Sequence, residues 1–235
     1  MSEPESFMSH LIELRDRLLH CVLAFLLVFV CLFPWARDIY TVLANPLLAA
    51  LPRGGQMIAT EVTAPFFVPV KVTMLAALVI ALPYLLYQVW AFVAPGLYAH
   101  EKKLVLPLVL TSTLLFIAGM SFAYFVVFPV VFHFITSLAP EGVAVMTDIQ
   151  KYLDFVITLF IAFGVTFEVP VAVVILARAG VVSVAKLREA RPYVVVGAFV
   201  IGAIFTPPDV VSQILLAVPL WLLYEVGIII SGWGA

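Results

Sequence analysis

Phe92-Val-Ala-Pro-Gly-Leu-Tyr-Ala-His-Glu-Lys-Lys103 joins two long runs that carry no formal charge, and that position decides the fold. The run on its N-terminal side extends from Val72 to His100, and the run on its C-terminal side from Leu104 to about Pro140. At ~1.5 Å per helical residue each exceeds the ~30 Å thickness of a bilayer's hydrocarbon core. Pro95-Gly96 supplies a turn between two membrane spans. Glu101 is the odd member, an acid where lysine or arginine would ordinarily anchor a membrane protein.

Working outward from this connection, composition points the same way. The chain has 235 residues, of which 65% are hydrophobic and only 11% charged, with a mean hydropathy of +1.20. A soluble domain has about half its residues apolar and about a quarter charged, so the surplus requires a lipid bilayer as solvent. A net charge of −2 excludes a nucleic-acid binder. Cys21 and Cys31 fall ten residues apart in one apolar run and face different directions, so they do not bridge. The acids Glu3 and Glu5 at the start, without a basic n-region, argue against a removable signal peptide.

The charges divide the rest of the chain into an all-α array of six spans in a single membrane domain, 1–235. The expected spans are 18–36, 72–94, 104–134, 152–178, 193–206 and 210–230, with an outer cap over 37–71. Within the cap, apolar residues recur at helical spacing around Asn45-Pro46, which reads as short amphipathic helices at the membrane surface. The last two spans read as short. Tyr193–Thr206 offers 14 residues before Pro207-Pro208-Asp209, or only ~21 Å of helix. Pro83 is expected to kink the second span. An even number of spans puts both termini on one side. Arg15, Arg17, Lys102, Lys103, Arg178, Lys186, Arg188 and Arg191 then lie inside, against Arg37, Arg53, Lys71 and Lys151 outside. This eight-to-four bias places both termini in the cytoplasm.

Several blocks carry a family resemblance. They are Ser9-His-Leu-Ile-Glu-Leu-Arg-Asp-Arg-Leu18, Tyr87-Gln-Val-Trp90 running into the opening connection, Phe122-Ala-Tyr-Phe-Val-Val-Phe-Pro129, Phe163-Gly-Val-Thr-Phe-Glu-Val-Pro170, and Arg191-Pro-Tyr193 through Thr206-Pro-Pro-Asp209 to Gln213. In this order they resemble TatC, the multi-span subunit of the twin-arginine protein translocase. The resemblance implies a receptor in the bacterial inner membrane for the twin-arginine signal peptides of folded precursors. It also implies assembly with TatA- and TatB-type single-span proteins, more than one copy in the complex, and transport driven by the proton-motive force. The chain departs from many members in lacking a basic tail after Gly232-Trp-Gly-Ala235.

A ligand marked by adjacent arginines needs carboxylates that accept forked, charge-assisted hydrogen bonds. Glu13 and Glu101 match the family positions for this task, with Phe92 and Leu97 as apolar support; Arg15, which matches the family's Leu-Arg, either orients Glu13 or repels a twin-arginine ligand until another acid neutralises it. Read from the residues alone, Glu13 can equally pair with Arg17 one turn along its own helix, and Glu101 can be a solvated loop charge. Glu168 is an acid inside the fourth span, where a partner or a wet groove is required, and Pro170 leaves the Thr166 carbonyl without its helical donor. Glu168, Thr206, Asp209 and Gln213 are the expected contacts for partner helices. Asp209 also reads as a helix cap, and Pro46 marks the outer cap. The histidines are scattered, so no metal and no cofactor is expected. No catalytic constellation appears, which argues against an enzyme. The rival reading is a proton-coupled secondary transporter built on Glu168.

Overall fold

The computed structural model describes residues 3–50, 57–97, 105–137, 146–206 and 209–233. The described chain is helical apart from two very short strands. Helix α1 (Glu3–Leu32) passes through a 3-10 turn at Phe33–Trp35 into α2 (Ala36–Ala50). The pieces expected around Asn45-Pro46 are therefore one helix, because Pro46 falls in its C-terminal half without ending it. Helix α3 (Ala64–Leu97) starts at Ala64 rather than 72. Pro65 and Pro69 lie in its first turns, where proline's missing amide costs little. Its helical backbone continues through Pro95-Gly96, so the turn expected at these two residues is not formed there, and residues 98–104 lie outside the described residues.

Helix α4 (Val105–Phe122) widens into a π turn over Ala123–Val127 and continues as α5 (Phe128–Ser137). In that turn the Phe128 amide bonds to the Ala123 carbonyl, five residues back. The widened turn moves the preceding carbonyls away from the ring of Pro129, which would clash in a regular helix. Helix α6 (Ile149–Phe167) breaks at Glu168 and resumes as α7 (Val169–Arg178), with Pro170 in the first turn of α7. A short helix α8 (Val184–Glu189), then α9 (Arg191–Phe205) and α10 (Val210–Gly232), complete the described chain.

Among the described residues, five stretches are long and apolar enough to cross a membrane: Leu11–Asn45, Ala64–Phe92, Leu106–Ile135, Ile149–Arg178 and Val210–Gly232. The apolar α9 is shorter, 15 residues. Of the last two expected spans only α9 is short, since α10 runs 23 residues. Its Pro219 does not end it, and Asp209 starts it cleanly.

The main core lies between α2, the first half of α3, α5 and α6. Phe128, Phe160, Phe132 and Tyr152 stack through it, with ring centroids 5.1 Å apart for Phe128–Phe160 and 5.5 Å for Phe132–Tyr152. Two phenols tie α2 to it, since Tyr152 donates to the Leu43 carbonyl and Tyr124 to the Val42 carbonyl, each at 2.8 Å. Strand β1 (Met57–Ile58) pairs in parallel with β2 (Thr147–Asp148) beside this core. A smaller cluster of Val173, Leu187, Tyr224 and Ile228 packs α7, α8 and α10. Helix α1 leans chiefly on α3 and leaves most of its apolar surface uncovered.

Candidate functional site

Polar side chains gather where α1 lies against the second half of α3. Glu13 and Arg17 are one turn apart on α1, and Arg17 donates to Glu13 Oε1 from both Nε and Nη2, at 2.9 and 2.7 Å. The remaining arm, Nη1, reaches the Gln88 side-chain oxygen at 3.1 Å, and Gln88 Nε2 donates to the Tyr84 hydroxyl at 2.8 Å. Gln88 is buried, at 9% exposure. Both ends of its amide are engaged, as a buried side-chain amide requires.

Arg15 does not orient Glu13. It turns to its neighbour Asp16, with Nε and Nη2 at 2.9 and 2.7 Å from Oδ1, and its side chain is 68% exposed. Residues 15 and 13 point roughly 200° apart around a helix, whereas 13 and 17 share a face. Phe92 is half-buried on α3. Leu97 ends the α3 backbone, with its side chain outside the described residues, and Glu101 lies outside them altogether.

Two residues beyond Gln88, Trp90 points to the opposite side of α3 and donates its indole N–H to Ser112 Oγ on α4 at 3.1 Å. Ser112 lies beside the carboxyl group of Glu168, yet both Glu168 oxygens are buried without a hydrogen-bond partner. Glu168 closes α6 and precedes α7, but its side chain does not cap the α7 amides. Close helix packing shapes this region. A Cβ on Gly164 would collide with the Phe116 ring, and one on Gly119 would come within 2.5 Å of the Phe163 carbonyl oxygen.

Thr206, Asp209 and Gln213 form a separate group at the α9–α10 junction. Thr206 Oγ1 donates to the Gly202 carbonyl at 2.7 Å, Asp209 caps α10 by accepting from the Ser212 amide at 2.7 Å, and Gln213 Nε2 donates to the Phe199 carbonyl at 2.9 Å. The other oxygen of Asp209 and the Ser212 hydroxyl are buried without partners among the described residues. Pro46 lies within α2, with its side chain outside the described residues.

Two polar features escaped the sequence reading. Arg191, at the start of α9, pairs with Glu225 on α10 at 2.7 Å, and the second Glu225 oxygen is buried and unpaired. The acid inside an apolar run was the available signal for Glu225. At the opposite end of the molecule, Asp148 accepts from the Thr60 amide and hydroxyl, at 2.9 and 2.6 Å, and from the Gln150 and Lys151 amides, at 2.9 and 3.0 Å. These bonds, led by the Thr60 hydroxyl, hold its carboxyl well below the usual carboxylate range.

The family model for the Sec-independent protein translocase protein (TatC) matches residues 9–219. The TatC protein of Azotobacter chroococcum mcd 1 is 60% identical over 220 residues, covering 94% of this chain and 86% of the relative. That of Escherichia coli (strain K12) is 54% identical over 231 residues, covering 98% and 90%. A crystal structure of the twin-arginine translocase receptor TatC superposes with a TM-score of 0.84 at 39% identity, covering 95% of this chain and 98% of that one.

Proposed function

This chain belongs to the TatC family of Sec-independent protein translocase proteins, and from that premise we propose that it is the receptor subunit for twin-arginine signal peptides. Members are components of a protein translocase rather than enzymes, which sets aside the transporter reading of Glu168. The observation that carries the proposal is likeness over nearly the whole chain to a protein solved as the twin-arginine translocase receptor.

In this reading the protein lies in the bacterial inner membrane with six spans, α9 being the short fifth one, and both termini in the cytoplasm. The lysine and arginine bias supports that orientation. Glu13 and Glu101 receive the two arginines from the cytoplasmic side, with Phe92 and Leu97 as apolar support and Arg15 at the rim. A guanidinium suits a carboxylate better than an ammonium does, because its planar fork makes two parallel hydrogen bonds. Glu168 offers a buried acceptor to a donor on the helix of a TatA- or TatB-type partner, and Thr206, Asp209 and Gln213 offer a second polar contact nearer the outer face. The protein works in more than one copy within a complex driven by the proton-motive force.

The test is binding of a twin-arginine peptide to the detergent-solubilised protein. Affinity is expected to fall at least tenfold when Arg-Arg becomes Lys-Lys, or when Glu13 or Glu101 becomes glutamine. Crosslinkers placed at residues 92–103 should capture the peptide. Indifference to all of these changes overturns the reading.

A further inference from the structure

Helices α4 and α6 pack in a matched register. Gly119 backs onto the Phe163 carbonyl, and the Phe116 ring fills the place where a Cβ on Gly164 would stand. Falling residue numbers on α4 meet rising numbers on α6, so the two helices run antiparallel. One turn further along each helix stand Ser112 and Glu168. The register thus puts the Ser112 hydroxyl beside the Glu168 carboxyl, whose oxygens are buried and receive no well-formed hydrogen bond among the described residues.

Ser112 has a hydrogen to give. Its neighbours Thr111 and Thr113 donate theirs to carbonyls one turn back, Pro107 and Val109, at 2.9 and 2.7 Å, a common arrangement for a helical hydroxyl. Ser112 is fully buried, and its hydroxyl donates no well-formed bond among the described residues. It accepts instead, from the Trp90 indole N–H on α3 at 3.1 Å. An indole N–H can only donate, so Trp90 occupies a lone pair of Oγ and leaves the hydrogen uncommitted.

We propose that Ser112, held by Trp90, is a positioning residue for Glu168 in its contact with a partner helix. The proposal rests on the reading that Glu168 accepts a donor from such a helix. A glutamate side chain has several rotatable bonds, and fixing it at the moment of docking costs affinity. Donation from Ser112 to one carboxyl oxygen offsets that cost and leaves the other oxygen for the incoming group. A hydroxyl that itself accepts a hydrogen bond is the stronger donor. Trp90 also decides where the hydrogen goes. Without its N–H, Ser112 can turn to the Leu108 carbonyl, as Thr111 and Thr113 turn to theirs, and Glu168 loses its donor.

The experiment titrates a TatB-type single-span partner into the full-length protein in detergent. A photo-crosslinker replaces Val165, an exposed residue of α6 one turn before Glu168. The partner concentration giving half-maximal crosslinking should rise about fivefold in Ser112→Ala, and about as much in Trp90→Phe. Both changes together should give the same rise as either alone, because they remove one shared interaction. A packing role for Trp90 predicts instead that Trp90→Phe weakens docking further in the Ser112→Ala background; that result, or wild-type docking by Ser112→Ala, overturns the inference. Glu168→Leu separates the two levels. If docking ignores Glu168→Leu, the reading of Glu168 fails and takes the inference with it; if Glu168→Leu abolishes docking that Ser112→Ala leaves unchanged, only the role of Ser112 fails. Should Trp90→Phe not fold by thermal unfolding, Ser112→Cys is read in its place. A thiol is a weak donor, so docking should weaken about threefold, and wild-type docking again overturns the inference.

Discussion

Helix α6 carries an acid at each end, and the two have opposite fates. Asp148 stands before the first turn and accepts four hydrogen bonds, two from the helix's own amides and two from Thr60. Glu168 stands after the last turn and, although the Ser112 hydroxyl lies beside it, accepts no well-formed hydrogen bond among the described residues. The dipole of α6 favours negative charge at its start and opposes it at its end, and α7 could offset this only if Glu168 capped it, which it does not. One acid has been used to close one end of the fold, joining 57–60 to 147–151. The other has its oxygens buried beside the Ser112 hydroxyl, with no hydrogen bond in hydrogen-bonding geometry among the described residues. The difference is in how firmly each acid is held: Asp148 by four donors, Glu168 by none among the described residues.

The comparison breaks most readily at Asp148. Asp148→Ala removes the α6 cap and the clasp between 57–60 and 147–151 together, and should lower the melting midpoint in detergent by about 5 °C. If it melts like the wild type, the clasp does not hold that end of the fold.

Acid should reproduce part of that loss. The folded protein keeps Asp148 ionised at pH values where the unfolded chain, with its ordinary value near 4, takes up a proton. Its contribution is therefore complete at neutral pH and declines as pH falls below about 4 toward the depressed folded value. The gap in melting midpoint between wild type and Asp148→Asn should accordingly narrow between pH 7 and pH 3. A gap that widens on acidification contradicts this assignment.

Glu168 should give the reverse sign with a smaller size. Replacing a buried carboxyl group that lacks fixed partners by an apolar side chain of similar volume removes a desolvated polar group. Glu168→Leu should raise the midpoint by about 3 °C while abolishing site-specific crosslinking to a single-span partner. A fall comparable with that of Asp148→Ala would mean that Glu168 is structural after all.

Legibility in the sequence follows the same division. Glu168 declared itself as an acid in an apolar run beside Pro170, a purely local signal. The Glu13–Arg17 pair was equally local, readable from a spacing of four. Gln88 was not readable as the anchor of Arg17, because its partner lies 71 residues away and no periodicity links them. The Asp148 clasp needs Thr60, 88 residues distant, and β1 and β2 are too short to produce an alternating pattern. The alternation of charged and uncharged runs marked the spans but blurred their ends. Charge counting started the second span at 72, after Lys71, whereas α3 starts at Ala64 and carries that lysine within it, opposite Asp154.

That last pair supplies the smallest effect and the finest test of the comparison, since Asp154 is a third acid on α6. Lys71 Nζ lies 2.8 Å from Asp154 Oδ1, with the two side chains 39% and 49% exposed. Asp154 is thus partnered, unlike Glu168, but by a single flexible lysine and not by fixed amides as Asp148 is. An ion pair this exposed is screened by solvent and salt and pays entropy to hold a long side chain in place. Asp154→Asn should therefore cost about 0.5 kcal/mol in a double-mutant cycle with Lys71→Met, and less at high salt. The three acids then fall in order of fixed partners rather than of charge. A coupling as large as the Asp148 effect would mean that pairing to any cation suffices to hold α6, and the distinction between the two ends would collapse.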